Sequence, residues 1–239
     1  MNLQRAIDEI VAHPEIVVGI DFDGTIASLV DHPDLAVPDP DAVRALRILA
    51  RRDGIRVLVV SGRSHAALTE RLGEVDGAVY IGEHGNDTGE PDSSSHRLVE
   101  EMGDLVERIA RGVPGAVTER KSHSATFHYR NAPDEMTEPA LEQIREWLAR
   151  HPEVMVIEGK NVVELTTSAR SKGDAVMELA GDDPVIYIGD DTTDESVFEV
   201  LRSGDVGVKV GSGPTAARFR VEDVAGVVAI LEQMVLASG

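Results

Sequence analysis

Two aspartates two residues apart, Asp21 and Asp23, close an apolar run and precede a glycine in DFDGT (21–25). Side chains on a strand repeat every second residue, so both carboxylates point the same way, and Gly24 lets the chain turn sharply. Carboxylates so placed can attack an electrophile, carry a proton or hold a cation. A second apolar run ends in Ser61-Gly62-Arg63, where a hydroxyl before a helix N-terminus suits a phosphate oxygen. Ser171-Lys172-Gly173 opens a later helix, and GDDTTDE (189–195) crowds Asp190, Asp191 and Asp194 at one strand end. That crowding is costly without a cation, and hard oxygen ligands favour Mg2+ over zinc. Taken singly, these segments also read as an acidic turn, a plain N-cap and a surface lysine.

Lysine is scarce here. The 23 basic residues include only Lys121, Lys160, Lys172 and Lys209, which leaves 19 arginines. A position that keeps a lysine therefore merits inspection.

The elements that must position these groups follow from hydrophobic periodicity. Residues 16–22 and 55–60 predict buried strands, with a helix over 41–52 between them; a helix over 64–72 leads to a strand at 78–82. The alternation resumes with a helix over 172–180, a strand at 185–188, a helix over 194–202, a strand at 206–210 and a last helix from about residue 222. Apolar strands alternating with helices predict a parallel sheet covered on both faces. In such sheets ligands bind at the carboxyl ends of the strands, so the four segments can converge. The middle of the chain differs. A helix over 97–111, strands at 116–120 and 124–130, a helix opened by Thr137 and Pro139, and strands at 154–158 and 161–166 predict an antiparallel sheet backed by two helices. The expected domains are a core, 1–82 plus 168–239, and an α+β insertion, 83–167.

Length and composition agree with a folded enzyme of one core plus an insertion. The 239 residues are 42% hydrophobic and 28% charged, with no cysteine and a net charge of −20. Zero Cys excludes disulfides, cysteine nucleophiles and thiolate-bound zinc, and fits a cytoplasmic protein. The negative field argues against nucleic-acid or membrane partners. The longest apolar run, 224–231, is far below the ~20 residues of a membrane span, and no secretory signal is expected. A monomer acting on a small molecule is the expectation.

The ordered set DFDGT, SGR, SKG and GDDTTDE resembles the four motifs of the haloacid dehalogenase superfamily of phosphatases. The segments VPGAVTERKSHSATFHYRNAP (113–133), GKNVVEL (159–165), GDDTTDESVFEVL (189–201) and VKVGSGPTAA (208–217) are similar to those of the trehalose-6-phosphate phosphatase family. Two loops depart from that family's pattern: GEHGND after the third strand, and TTSARSKG, which lacks a proline before the lysine.

The resemblance implies an α/β fold, a Rossmann-like parallel-sheet core of the haloacid dehalogenase type with an inserted α+β cap that sets specificity. It implies a Mg2+-dependent hydrolysis of trehalose 6-phosphate, with Asp21 as nucleophile and Asp23 as acid and then base. Asp21, the Asp23 carbonyl and Asp190 would hold Mg2+. Asp191 and Asp194 would support them from behind, with Asp191 reaching Lys172 or a metal-bound water. Ser61 and Lys172 would hold phosphoryl oxygens, while Arg63 would reach the phosphate or cap the sheet end. Glu164, Lys121 and Lys160 are the candidates for gripping the sugar, and His84 is a sugar contact or a hinge. His123 and His128 read as surface or structural, Trp147 as cap core and Lys209 as structural. Competing readings are a phosphatase of another sugar or glycosyl-glycerate phosphate, a sugar phosphomutase, and a non-enzymatic aspartyl-phosphate signalling module.

Overall fold

A computed structural model describes residues 2–30, 35–86, 93–121, 123–159, 161–168 and 170–238. The chain forms two compact units, Met1–Thr88 with Arg170–Gly239, and Gly89–Ala169.

In the first unit, β1 (Ile16–Ile20), β2 (Ile55–Val60), β3 (Val79–Ile81), β8 (Val185–Gly189), β9 (Val206–Val210) and β10 (Phe219–Val221) form one sheet in the order β10-β9-β8-β1-β2-β3. Every pairing is parallel. β1, β8 and β9 are buried along their whole length, which is why Val and Ile predominate in them and β1 and β8 show no alternation with polar residues. Each fully buried Val or Ile adds about 1.5–3 kcal/mol relative to exposure. Gly19 interrupts β1 for a packing reason: a Cβ there would lie 2.6 Å from the Tyr187 ring of β8.

Helices cover both faces. α1 (Leu3–Val11), α2 (Pro40–Leu49), α3 (His65–Leu72) and α8 (Val224–Ala237) belong to this unit, with α6 (Lys172–Ala180) and the single turn α7 (Glu195–Phe198). α1, α2, α3 and α8 contribute to one core that includes Ile7, Leu46, Leu68 and Leu231. α6 and α7 contribute Val176 and Val197 to another, built around Tyr187.

The second unit holds α4 (Ser93–Arg111), β4 (Val117–Arg120), β5 (Ser124–His128), α5 (Asp134–Leu148), β6 (Met155–Gly159) and β7 (Val162–Thr166). Its sheet runs β4-β5-β7-β6, antiparallel throughout. Alternation sorts the faces: Ala125, Phe127, Val163 and Leu165 pack with Met102 and Ile144 of the helices, while Thr126 and Glu164 stand opposite one another on the other face. Trp147 lies against this core, as expected.

Four expectations shift. α5 starts at Asp134, so Pro139 lies inside it rather than opening it; Asp134 and Glu135 supply the acidic first turn instead. The helix expected over 194–202 ends at Phe198, because the chain turns through Gly204, at φ 115°, into β9. α1 and the three-residue β10 were not expected at all. α1 carries a signal, Leu3, Ala6, Ile7 and Ile10 at helical spacing; β10 is too short to have one.

Among the described residues no helix is long and apolar enough to cross a membrane.

Candidate active site

The carboxyl ends of β1, β2 and β8 bring the first, second and fourth segments together, and the start of α6 delivers the third. Asp21 follows β1, and its backbone N–H donates to the Ile188 carbonyl of β8 at 2.9 Å. Its side chain is 4% exposed. The turn beyond it closes through Gly24 N–H to Ala27 O at 2.7 Å, with Gly24 at φ 79°. Glycine is required there twice over, since a Cβ would also lie 2.0 Å from Asp190 Oδ2.

Lys172 is the first residue of α6, which Ser171 and Asp174 close with a capping box. Gly173 follows because a Cβ would meet the Ser196 carbonyl of α7 at 2.2 Å. The lysine is 2% exposed. Its Nζ donates to Asp21 Oδ1 at 2.7 Å and to Asp194 Oδ1 at 2.8 Å. Burial works against the Lys172 charge, but Asp21 and Asp194 outweigh it and hold the pKa above the ordinary lysine value. Removing one member of such a buried group costs about 3–5 kcal/mol, because the partners are left as uncompensated charge.

Asp194, not Asp191, is therefore the acidic partner of Lys172. It is fully buried, and it also accepts from the Tyr187 hydroxyl at 2.8 Å and the Asp191 N–H at 2.9 Å. Gly189 makes the room, since a Cβ there would lie 2.3 Å from Asp194 Cγ. Asp191 instead turns outward and accepts from the N–H of Thr192 at 2.6 Å. The spacing of three acids does not say which faces inward; the turn after β8 does.

Carboxylate oxygens of Asp21, Asp190 and Asp194 lie within 4.8 Å of one another. Burial, and then the carboxylates of Asp194 and Asp191, push Asp190 up to about 6. Burial also raises Asp21 well above the carboxylate range, opposed by Lys172 and reinforced by Asp194 and Asp190. Lys172 pairs with two of these acids and Lys209 lies near the third, yet Asp21 and Asp190 are both still raised by burial and by their acidic neighbours, and the donors are hard oxygens. The set fits Mg2+.

Ser61, 1% exposed, directly follows β2; its N–H donates to Ile81 O at 2.9 Å and its Oγ accepts from the Arg63 N–H at 3.2 Å. Arg63 turns toward the DFDGT segment. Its guanidinium donates to both oxygens of Asp23 and lies 5.2 Å from the Phe22 ring centre. His84 sits in a left-handed turn at φ 58°, after Glu83 at φ 48°. The N–H of Glu83 donates to Arg63 O at 2.9 Å and that of His84 to Ser61 O at 3.0 Å. A Cβ on Gly62 would come 2.4 Å from the His84 ring.

In the other unit, Glu164 accepts from Ser124 Oγ at 2.6 Å and pairs with Lys121 at 3.8 Å. Lys160 lies outside the described residues. His128, half exposed at the end of β5, pairs with Glu119 of β4 at 3.6 Å. Tyr187 and Thr25, whose hydroxyl reaches Asp190 Oδ1 at 3.4 Å, are site neighbours that sequence reasoning passed over. A tyrosine inside the aliphatic run VIYI was a signal, since a buried phenol needs a partner.

The trehalose-phosphatase family model matches residues 19–225. The chain belongs to the trehalose-phosphatase family. It is 34% identical over 231 residues to a bifunctional trehalose-6-phosphate synthase/phosphatase of Thermoproteus tenax, a match that covers 90% of this chain and 31% of that one. It is 30% identical over 230 residues to the trehalose-6-phosphate phosphatase of Escherichia coli K12, covering 91% of this chain and 85% of that one. The crystal structure of Aspergillus fumigatus trehalose-6-phosphate phosphatase superposes with a TM-score of 0.74 at 26% identity, covering 98% of both chains. The fold is thus the haloacid dehalogenase type expected for this family, with a parallel-sheet core. The chain spans 31% to 62% of the length of the T. tenax and two mycobacterial relatives that it matches.

Proposed function

We propose that the chain is a Mg2+-dependent phosphatase that hydrolyses trehalose 6-phosphate to trehalose and phosphate through an aspartyl-phosphate on Asp21. The observation that carries this reading is the surrounding of Asp21. Lys172 holds Oδ1 at 2.7 Å, which leaves Oδ2 as the attacking oxygen.

In the first step a bond forms between Asp21 Oδ2 and phosphorus, and the bond from phosphorus to the sugar oxygen breaks. Asp23 gives that oxygen its proton. In the second step Asp23 takes a proton from water, whose oxygen bonds to phosphorus as the Asp21 Oδ2–phosphorus bond breaks. Phosphate leaves and Asp21 is regenerated. Lys172 has three donors and spends two on carboxylates, so the third can hold a phosphoryl oxygen. The Ser61 hydroxyl, accepting from Arg63 N–H, keeps its own proton for another.

Asp21, Asp190 and the Asp23 carbonyl would hold Mg2+. Asp194, with both oxygens already engaged by donors, supports Lys172 and the turn rather than the ion. When bound, Mg2+ supplies positive charge that offsets repulsion between a carboxylate nucleophile and a phosphate dianion.

The inserted unit is the substrate-selecting domain in this reading, with Glu164 and Lys121 as sugar ligands, and the segments flanking it form the catalytic core. The net charge of −20 and the absence of cysteine support a cytoplasmic protein without nucleic-acid or membrane partners, working as a monomer.

The test is phosphate release from trehalose 6-phosphate and a panel of other sugar phosphates, with Mg2+ and with EDTA, for the natural chain and Asp21→Asn. Release from trehalose 6-phosphate that needs Mg2+ and vanishes in the variant is expected. Asp21→Asn retaining about a tenth of kcat would remove the nucleophile. Equal rates across the panel would keep the phosphatase and remove trehalose as its substrate.

A further inference from the structure

Lys209, expected from sequence to be structural, lies near the end of β9 and opposite Gly189 of β8 in the parallel register. It is 4% exposed, and a buried ammonium is costly unless it is paired. A strand position of this kind is filled more cheaply by valine, as at Val208 and Val210 on either side. The lysine's contacts account for it. Its Nζ donates to the backbone carbonyl of Asp190 and to that of Asp191 at 3.3 Å, and it pairs with Glu195 Oε1 at 3.6 Å. The other oxygen of Glu195 accepts from the Ala216 N–H at 2.8 Å and the Thr215 hydroxyl at 3.2 Å. The acidic turn after β8 is thereby tied by its backbone to β9 and to the 215–216 loop.

That turn has little freedom on its opposite side. A Cβ on Gly24 would lie 2.0 Å from Asp190 Oδ2, so the Asp190 carboxylate fits closely over the DFDGT turn. Asp190 is wedged between a glycine in front and a lysine-held backbone behind.

We propose that Lys209 is a positioning residue for the cation site: it holds the Asp190–Asp191 backbone so that the Asp190 carboxylate faces Asp21. This rests on the Mg2+ reading above. Two effects of Lys209 oppose each other. A nearby ammonium repels a divalent cation, whereas a clamp on a ligand's backbone presets the geometry that the cation needs. The contacts decide in favour of the clamp. Lys209 bonds carbonyl oxygens rather than a ligand carboxylate, and without it those two carbonyls lose the side-chain donor that ties them to β9.

The test is calorimetric titration of the full chain with Mg2+, without substrate. Lys209→Met keeps the apolar stem and removes the donor. Its Kd for Mg2+ should rise about 10–100-fold, the usual effect of losing a group that orients a metal ligand. Lys209→Arg can still donate to both carbonyls and should restore most of the affinity. Turnover should follow the same division: Lys209→Met needs more Mg2+ for half-maximal rate but approaches the natural kcat at saturation, whereas general damage to the fold would lower kcat at every Mg2+ concentration. Affinity in Lys209→Met equal to or tighter than in the natural chain overturns the proposal. If Lys209→Met fails to fold by circular dichroism, Lys209→Gln, shorter and without the charge, replaces it; natural affinity there overturns the proposal too. Asp190→Asn separates this inference from the metal reading. If the natural chain binds no Mg2+, or Asp190→Asn binds it undiminished, the metal reading fails and this inference with it.

Discussion

Arg63 grips Asp23 with two parallel hydrogen bonds, Nε to Oδ2 at 2.7 Å and Nη2 to Oδ1 at 2.6 Å. The arginine side chain is only 10% exposed and the aspartate 36%, so the fork is sheltered on one side. A planar guanidinium matches a carboxylate in a way that an ammonium cannot. Arg63→Lys should therefore behave as a loss rather than a conservative change, lowering kcat/KM for a sugar phosphate at least ~10-fold. An aryl phosphate, whose leaving group needs no proton, should suffer less. Equal losses on the two substrates would separate Arg63 from the acid role of Asp23.

Mg2+ should stabilise the protein more at high pH than at low. Asp190 is pushed from the ordinary 3.8 to about 6 by burial and by its acidic neighbours. The folded state thus holds this proton more tightly than the unfolded state. From this group, stability without metal falls as pH rises from about 4 through about 6, and a bound cation offsets that loss. The rise in melting temperature on adding Mg2+ should be larger at about pH 7.5 than at about pH 5. Thermal scans at both values check it, and an increment independent of pH would contradict the assignment of Asp190 to the cation site.

Gly62 and His84 should form a compensating pair. A Cβ on Gly62 would meet the His84 ring at 2.4 Å, and the ring belongs to a turn whose N–H groups hold the Ser61 and Arg63 carbonyls. Gly62→Ala should cost about 1–3 kcal/mol through overpacking. His84→Ala in the same chain should return most of that loss, and denaturant melts of the two single variants and the double variant measure the coupling. Simple additivity would show that the ring can move aside freely.

Glu164 should report on sugar recognition without touching the reaction at phosphorus. It already accepts from Ser124 and pairs with Lys121, an arrangement of donors and acceptors suited to hydroxyl groups. Glu164→Ala should cut kcat/KM for trehalose 6-phosphate by about 10²-fold while changing an aryl phosphate by less than about threefold. Parallel losses on both substrates would mark Glu164 as structural.

Much of the core was legible because its signals are local. Strands buried on both faces write themselves as β-branched runs, as in IRVLVV and VIYIG, and the ends of those runs located Asp21, Ser61 and Asp190. Ser171-Lys172-Gly173 announced the start of α6. Where a boundary slipped, a local signal had been outweighed: Pro133 followed by Asp134 and Glu135 marks the start of α5 ahead of Thr137 and Pro139.

Pairings between distant side chains were not legible. Lys172 meets Asp21 across 151 residues of chain, and Arg63 meets Asp23 across 40. From sequence Lys172 was expected near Asp191 rather than Asp194, and Arg63 and Lys209 had no side-chain partners that could be named. Residue type and periodicity determine which elements form and which ends carry charge, because those depend on neighbours within a few positions. Which carboxylate turns inward depends on the space left by Gly189 and on the Tyr187 hydroxyl waiting on β8. Only the packed sheet supplies those, since charge buried without a partner is too costly to leave to chance and the partner arrives from another part of the chain.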